Sequence, residues 1–181
     1  GYEGHLQMDL DPSRRAERVR EAMIALRAAH RDVGGDIVSA GGTGTHRDLV
    51  IGLDDPAGVT EVQAGSYALM DTDYMRHDAG FVPAIDLIGT VISVGARHGV
   101  IDVGLKALGM DHGPPTIDGA AVWFCSDEHI TFALDDGSLP RLGDRIRVRP
   151  AHLDPTAARH QVMWLVDGDT VVEPWPIDMR H

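Results

Sequence analysis

The chain has 181 residues, 16 Lys plus Arg against 28 Asp plus Glu, and one cysteine, Cys125. That length holds one large domain or two small ones, with a core that needs no disulfide or structural metal. A single cysteine excludes an intrachain disulfide and every multi-cysteine zinc motif. A net charge of -12 argues against a nucleic-acid backbone as the main partner, and no apolar run reaches the roughly 18–20 residues of a membrane span. The first residues, GYEGHLQMDL, are neither a signal peptide nor a basic transit peptide. Lys106 is the only lysine, and the chain opens at Gly1, without an initiator methionine, in what reads as mid-strand.

In chain order, Gly1–Gln7 reads as a short strand and a loop. Asp11-Pro12-Ser13 offers a helix start with Ser13 as a cap. Residues 14–31 contain no Gly or Pro, and Ala16, Val19, Met23, Leu26 and His30 recur at three- and four-residue steps, which predicts an amphipathic helix ended by Gly34-Gly35. Asp36–Ala40 is a buried-strand candidate running into Gly41-Gly42-Thr43-Gly44-Thr45. Residues 46–58 read as polar with a turn at Asp54-Asp55-Pro56. Val59–Val62 reads as another strand, before Gln63-Ala64-Gly65-Ser66-Tyr67. This alternation is α/β texture over residues 1–80. From Phe81 the period changes. Apolar runs at 84–94, 119–125, 130–134, 145–149, 161–166 and 170–173, separated by Gly, Pro and Asp turns, predict an antiparallel β domain over 81–181, with the boundary near Arg76–Val82.

Four constellations could carry chemistry. Gly41–Thr45 follows a strand, and glycines let backbone N–H groups approach an anion while threonine hydroxyls add donors. It matches neither a Walker loop nor the dinucleotide fingerprint, so it reads as a plain βα loop or a phosphate loop. Gly65-Ser66-Tyr67 is a second such loop. At the C-terminal ends of two strands the pair would form a phosphate cup. In His152-Leu153-Asp154, extended backbone would point residues i and i+2 the same way, so that one imidazole and one carboxylate share a divalent ion; Pro155 favours an extended Asp154. The alternative is a turn with a surface His and Asp, and His160 is a third candidate ligand. Ser126-Asp127-Glu128-His129 closes a strand, either as a solvated turn or as support for a neighbouring ligand. Tyr2 and His5 serve equally a packing or stacking role and proton transfer. Lys106 invites a Schiff-base reading, but its setting in the β half, away from both glycine loops, favours an ordinary surface lysine.

In order, GYEGH, GGTGT, TEVQAGSYALMDTDY, DVGLKALGMDHGPP, SDEH, AHLDPT and VEPWPIDMR resemble the C-terminal half of the D-threonine aldolase and D-serine dehydratase group, nearly end to end. The resemblance implies the alanine-racemase-like fold: a pyridoxal 5'-phosphate (PLP) (β/α) barrel, its last strands in residues 1–80, then a β domain carrying the metal motif. It implies that Gly42, Thr43, Gly44 and Gly65, Ser66, Tyr67 hold the cofactor phosphate, that Gln63 lies near the pyridine ring, and that Tyr2 and His5 line the cofactor face. It implies that His152 and Asp154 bind the divalent metal that contacts the substrate's β-hydroxyl. Dehydratase members are expected to carry His-x-Cys there, so His-x-Asp resembles the aldolase branch with a harder metal, manganese before zinc. Cys125 lies on another predicted strand and is no substitute ligand.

The family's Schiff-base lysine belongs to an early barrel strand, so the resemblance implies that it lies outside this chain, with half of a family-length protein preceding Gly1. The implied activity is cleavage of a β-hydroxy-D-amino acid, such as D-threonine, to glycine and an aldehyde, in a cytoplasmic homodimer, with His129 a candidate base. The alternatives are a PLP-dependent D-serine or 3-hydroxyaspartate dehydratase, a non-catalytic partner or remnant chain, and a PLP-independent metal hydrolase built on His152, Asp154 and His160.

Overall fold

The structure, a computed structural model, describes residues 1–77 and 80–178. Part of the expected boundary (Asp78, Ala79) and the end of VEPWPIDMR (Met179, Arg180) lie outside the described residues. Backbone contacts divide the chain into two units. One comprises Gly1–Met70 with Tyr74–Ala84, the other Asp71–Asp73 with Ile85–His181.

In the first unit, helix α1 spans Pro12–Val33. Its cap is Asp11, not Ser13. The Asp11 carboxylate accepts the N–H groups of Ser13 and Arg14, both at 3.0 Å, and Pro12 suits the first helical position because it has no N–H to leave unpaired. Gly34, at φ 78°, ends the helix by donating to His30 O. Four two-residue strands follow: β1 (Ser39–Ala40), β2 (Val50–Ile51), β3 (Gly58–Val59) and β4 (Glu61–Val62). β1 pairs with β4 and β2 with β3, both in parallel. The single strand expected over Val59–Val62 is therefore two strands. Thr60 stands between them, its N–H donating to Val38 O and its hydroxyl accepting from Val38 N–H, so consecutive residues serve different partners. β2 lies in the stretch read as polar. Val19 and Met23 of α1 pack with Leu6, Val38, Ala40, Ala57 and Val59 into one apolar core.

The expected strand at Gly1–Gln7 is instead a 3-10 turn, Gly4–Leu6. The turn has a local cause. It brings Glu3 and Gln7, four residues apart, to one buried polar site, which an extended segment would not do.

The second unit is antiparallel. Strands β5 (Leu87–Val94), β6 (Gly99–Ile101), β7 (Ala120–Cys125), β8 (Ile130–Leu134) and β9 (Arg145–Val148) form a sheet in the order β7-β8-β6-β5-β9. A short helix, α2 (Leu153–Ala157), precedes a hairpin of β10 (Val162–Asp167) and β11 (Thr170–Pro176). Val91, Ile101, Val103, Leu108, Ile117, Ile130, Phe132 and Val148 make its core. Alternation along β8 puts Ile130 and Phe132 inside, as the two-residue period requires. No helix among the described residues is long and apolar enough to cross a membrane.

Candidate metal centre and phosphate loops

The His-x-Asp motif sits at the start of α2. His152 is the extended cap residue, with φ -134° and ψ 119°. Asp154 is helical, contrary to the extended conformation that Pro155 suggested. Proline is tolerated in a first helical turn, where its missing N–H would have no intrahelical acceptor. The two side chains still meet, with His152 Nε2 3.6 Å from Asp154 Oδ2 and the Asp154 side chain 78% exposed. Three contacts fix this corner. Asp71, buried, accepts the Leu153 N–H at 2.9 Å. The Thr156 hydroxyl donates to His152 O at 2.7 Å and accepts the Gly109 N–H at 2.9 Å. Gly109 must be glycine here, since a Cβ would stand 2.4 Å from Pro155 Cγ.

Three residues that carried no role in the sequence complete the cluster. His152 Nδ1 donates to Asp111 Oδ2 at 2.6 Å. His112 stacks on His152 with ring centroids 4.0 Å apart and planes 12° from parallel, and its Nδ1 lies 2.8 Å from Asp73 Oδ2. Asp111, His112 and His152 offer ligand atoms within 4.8 Å of one another. Desolvation pushes the Asp111 carboxyl up, but the hydrogen bond from His152, a backbone N–H and the electrostatic influence of the two neighbouring imidazoles together hold it below its ordinary value. The signal that could have found the pair is the doublet Asp111-His112 in a Gly- and Pro-bounded loop. Its 41-residue separation from His152 hides the contact in sequence.

Other candidates lie elsewhere. His160 Nε2 is 2.8 Å from Ala107 O, and His160 is not one of the three described residues, Asp111, His112 and His152, with metal-capable spacing. Ser126–His129 is the turn between β7 and β8. Its Ser126 and Asp127 carbonyls accept the N–H groups of Leu105 and Lys106, and the exposed His129 imidazole makes no hydrogen bond among the described residues. Lys106 pairs with Glu128, and that hydrogen bond raises its pKa and keeps it an ammonium. Burial pushes the Cys125 thiol up, away from the thiolate a metal needs.

The two glycine loops follow β1 and β4, at the C-terminal ends of adjacent parallel strands. Gly41–Thr45 is wholly buried. The N–H groups of Gly41, Gly42 and Gly44 donate to Glu3 Oε2 (3.1 Å), Thr45 Oγ1 (3.1 Å) and Gln7 Oε1 (2.8 Å). The Thr45 hydroxyl donates to Glu3, and Gln7 Nε2 donates to Thr45 Oγ1 at 2.8 Å. Most donors that the sequence offered to an anion are thus spent within the chain. Tyr67 N–H donates to Thr43 Oγ1 at 3.0 Å and ties the second loop to the first. The N–H groups of Thr43, Gly65 and Ser66 donate to no described residue, and Gly65 faces open space. Tyr2, His5, Gln63 and Tyr67 are exposed. The unspent donors around Gly65-Ser66 fit the phosphate of PLP. No residue of the first unit fits its aldehyde, because Lys106, the only lysine, is paired in the second. One imidazole with one exposed carboxylate fits a divalent ion with open coordination positions.

Residues 84–166 match the family described as a putative serine dehydratase domain. The chain is 34% identical over 200 residues to 3-hydroxy-D-aspartate aldolase of Paracoccus denitrificans (strain Pd 1222), covering 99% of this chain and 50% of that protein. It superposes on the crystal structure of D-threonine aldolase from Filomicrobium marinum with a TM-score of 0.81 at 34% identity, over 97% of this chain and 51% of that one. An alanine racemase-like protein of Idiomarina loihiensis, 21% identical, matches in fold with a TM-score of 0.72 over 97% of this chain and 54% of that one. The chain spans about half the length of the curated relatives it matches. Its short parallel strands and antiparallel sheet are thus those of an alanine-racemase-like fold, and the chain is a homologue of about half of the D-threonine aldolase and 3-hydroxy-D-aspartate aldolase proteins.

Proposed function

We propose that this chain forms the C-terminal, metal-binding part of a PLP-dependent lyase that cleaves β-hydroxy-D-amino acids, of which D-threonine is the type, to glycine and an aldehyde. The observation that carries the reading is the His152–Asp154 pair, 3.6 Å apart at an exposed helix start, in a homologue of D-threonine aldolases. His152 and Asp154 hold a divalent ion, and a carboxylate where a thiolate would favour zinc suits manganese. When bound, the ion supplies Lewis acidity toward the β-hydroxyl, and PLP supplies an electron sink for the pair released as the Cα–Cβ bond breaks. Thr43, Gly65 and Ser66 bind the cofactor phosphate through their backbone N–H groups. Tyr67 ties the two loops together, and the buried Glu3–Gln7–Thr45 network holds Gly42 and Gly44 in place behind them. Tyr2, His5 and Gln63 border the ring. His129, whose imidazole has no described partner, is available to accept a proton. The lysine that holds the cofactor aldehyde lies outside this chain. A cytoplasmic homodimer belongs to the same reading, on the strength of the family resemblance.

The test uses the whole protein carrying this sequence, supplied with PLP and Mn2+. Acetaldehyde release from D-threonine, and not from L-threonine, is expected, and Asp154→Ala should abolish it. A variant that keeps the parent rate at saturating substrate would sink the site assignment. The dehydratase reading is supported by the description of the domain match over 84–166. Ammonia and a keto acid in place of glycine and aldehyde would decide for it.

A further inference from the structure

Two imidazoles and the carboxylates of Asp73, Asp111 and Asp154 crowd around one helix start, and their geometry sorts them into unequal roles. The His112 and His152 rings are stacked, 4.0 Å between centroids and 12° from parallel. The lone pair of an imidazole nitrogen lies in the plane of its ring. Two nearly parallel planes about 4 Å apart cannot both contain one ion at a bond length of about 2 Å. His112 and His152 therefore cannot bind the same ion in this arrangement, although both belong to the group with metal-capable spacing. His112 is also committed elsewhere, its Nδ1 being 2.8 Å from Asp73.

The two nitrogens of His152 are themselves unequal. Nδ1 is 2.6 Å from Asp111 Oδ2, a hydrogen bond in which the carboxylate can only accept. Nδ1 then carries the proton, and the lone pair of the neutral ring is on Nε2. Nε2 is the atom that faces Asp154. A carboxylate on one imidazole nitrogen with an ion on the other is an arrangement that fixes the tautomer and raises the basicity of the ligand.

Resting on the proposed His152–Asp154 ion site, we infer that Asp111 is a positioning residue that makes Nε2 of His152 the metal-binding atom, with His112 a packing plate against the ring face and not a ligand. Asp111 and His112 are 41 and 40 residues from His152 in sequence, so the ion site depends on the loop that closes the DVGLKALGMDHGPP segment as well as on AHLDPT.

The experiment is a Mn2+ titration of the whole protein carrying this sequence, read from the electron paramagnetic resonance of free Mn2+, with melting temperatures to confirm that each variant folds. Asp111→Ala is expected to weaken Mn2+ binding by about 10- to 100-fold. Asp111→Asn keeps an acceptor for the Nδ1 proton without the charge, and should lose less. In the metal-free protein, with the imidazole brought to its neutral form, nitrogen-15 NMR should show His152 as the Nδ1–H tautomer, and Asp111→Ala should shift it toward a mixture. An Nε2–H tautomer in the parent, or an Asp111→Ala affinity within twofold of the parent, would overturn the inference. Asp111→Ala abolishing binding as completely as Asp154→Ala would also overturn it, by making Asp111 a ligand. If His152→Ala and Asp154→Ala leave Mn2+ affinity unchanged, the ion site itself fails, and the inference falls with it.

Discussion

The glycine loop and the histidine cluster are both dense in polar groups, yet one is closed and the other open. In Gly41–Thr45 the polar atoms are buried and turned on one another, with Glu3 and Gln7 accepting or donating at Gly41, Gly44 and Thr45. Around His152 the polar atoms are partly exposed, and Nε2 faces a carboxylate that lies mostly in solvent. Buried, satisfied groups cost free energy when a partner is removed. Exposed groups with an unspent lone pair cost little to lose and are the ones that can bind. The lesson is that a glycine-rich sequence can be a structural knot, with N–H groups left unspent among the described residues only at Thr43 and, in the neighbouring loop, at Gly65 and Ser66.

Substitutions sharpen this contrast. The largest loss of stability is expected for Gly44→Ala, whose Cβ would stand 2.3 Å from the Gln7 backbone oxygen. Overpacking against backbone should cost on the order of 3 kcal/mol, read by denaturant unfolding. Glu3→Ala should follow at about 2 kcal/mol, because it strands the Gly41 N–H and the Thr45 hydroxyl in the interior. His152→Ala should change stability by less than about 1 kcal/mol while removing Mn2+ binding. Equal losses of stability at Glu3 and His152 would break the comparison. Lys106→Ala should leave both the melting temperature and Mn2+ affinity unchanged, since its partner Glu128 is exposed with it.

The smallest measurable effect is one of acid dependence. The hydrogen bond from the Arg14 guanidinium holds the Asp9 carboxyl down at about 2. A carboxyl depressed in the folded state contributes stability above its unfolded value of about 4, and loses it as pH falls through about 2. Asp9→Asn should therefore flatten the fall of melting temperature over that window. An unchanged slope would show the pair to be idle.

What was legible in the sequence tracks how local the cause is. The helix was visible because its apolar stripe repeats within itself, and β5, β7, β8, β9, β10 and β11 each carry an apolar run. β6, three residues long and bulged against β5, left no such run. Thr60, held to Val38 by both its N–H and its hydroxyl, gave no sign of its role. His152 and Asp154 were visible as a motif, but the backbone that joins them was misjudged, because proline's bias against helix at the preceding residue is weaker than the pull of a first turn capped by Asp71. Asp71, Asp73, Asp111 and His112 stood in segments that resembled the family, yet their roles depend on contacts tens of residues away, which periodicity does not encode.

The most direct test of the central claim is anomalous diffraction from crystals loaded with Mn2+. One peak is expected, about 2.2 Å from His152 Nε2 and an Asp154 carboxylate oxygen, with Nδ1 still on Asp111. A peak bonded to Asp111 and His112 instead, with Asp154 turned away, would contradict it.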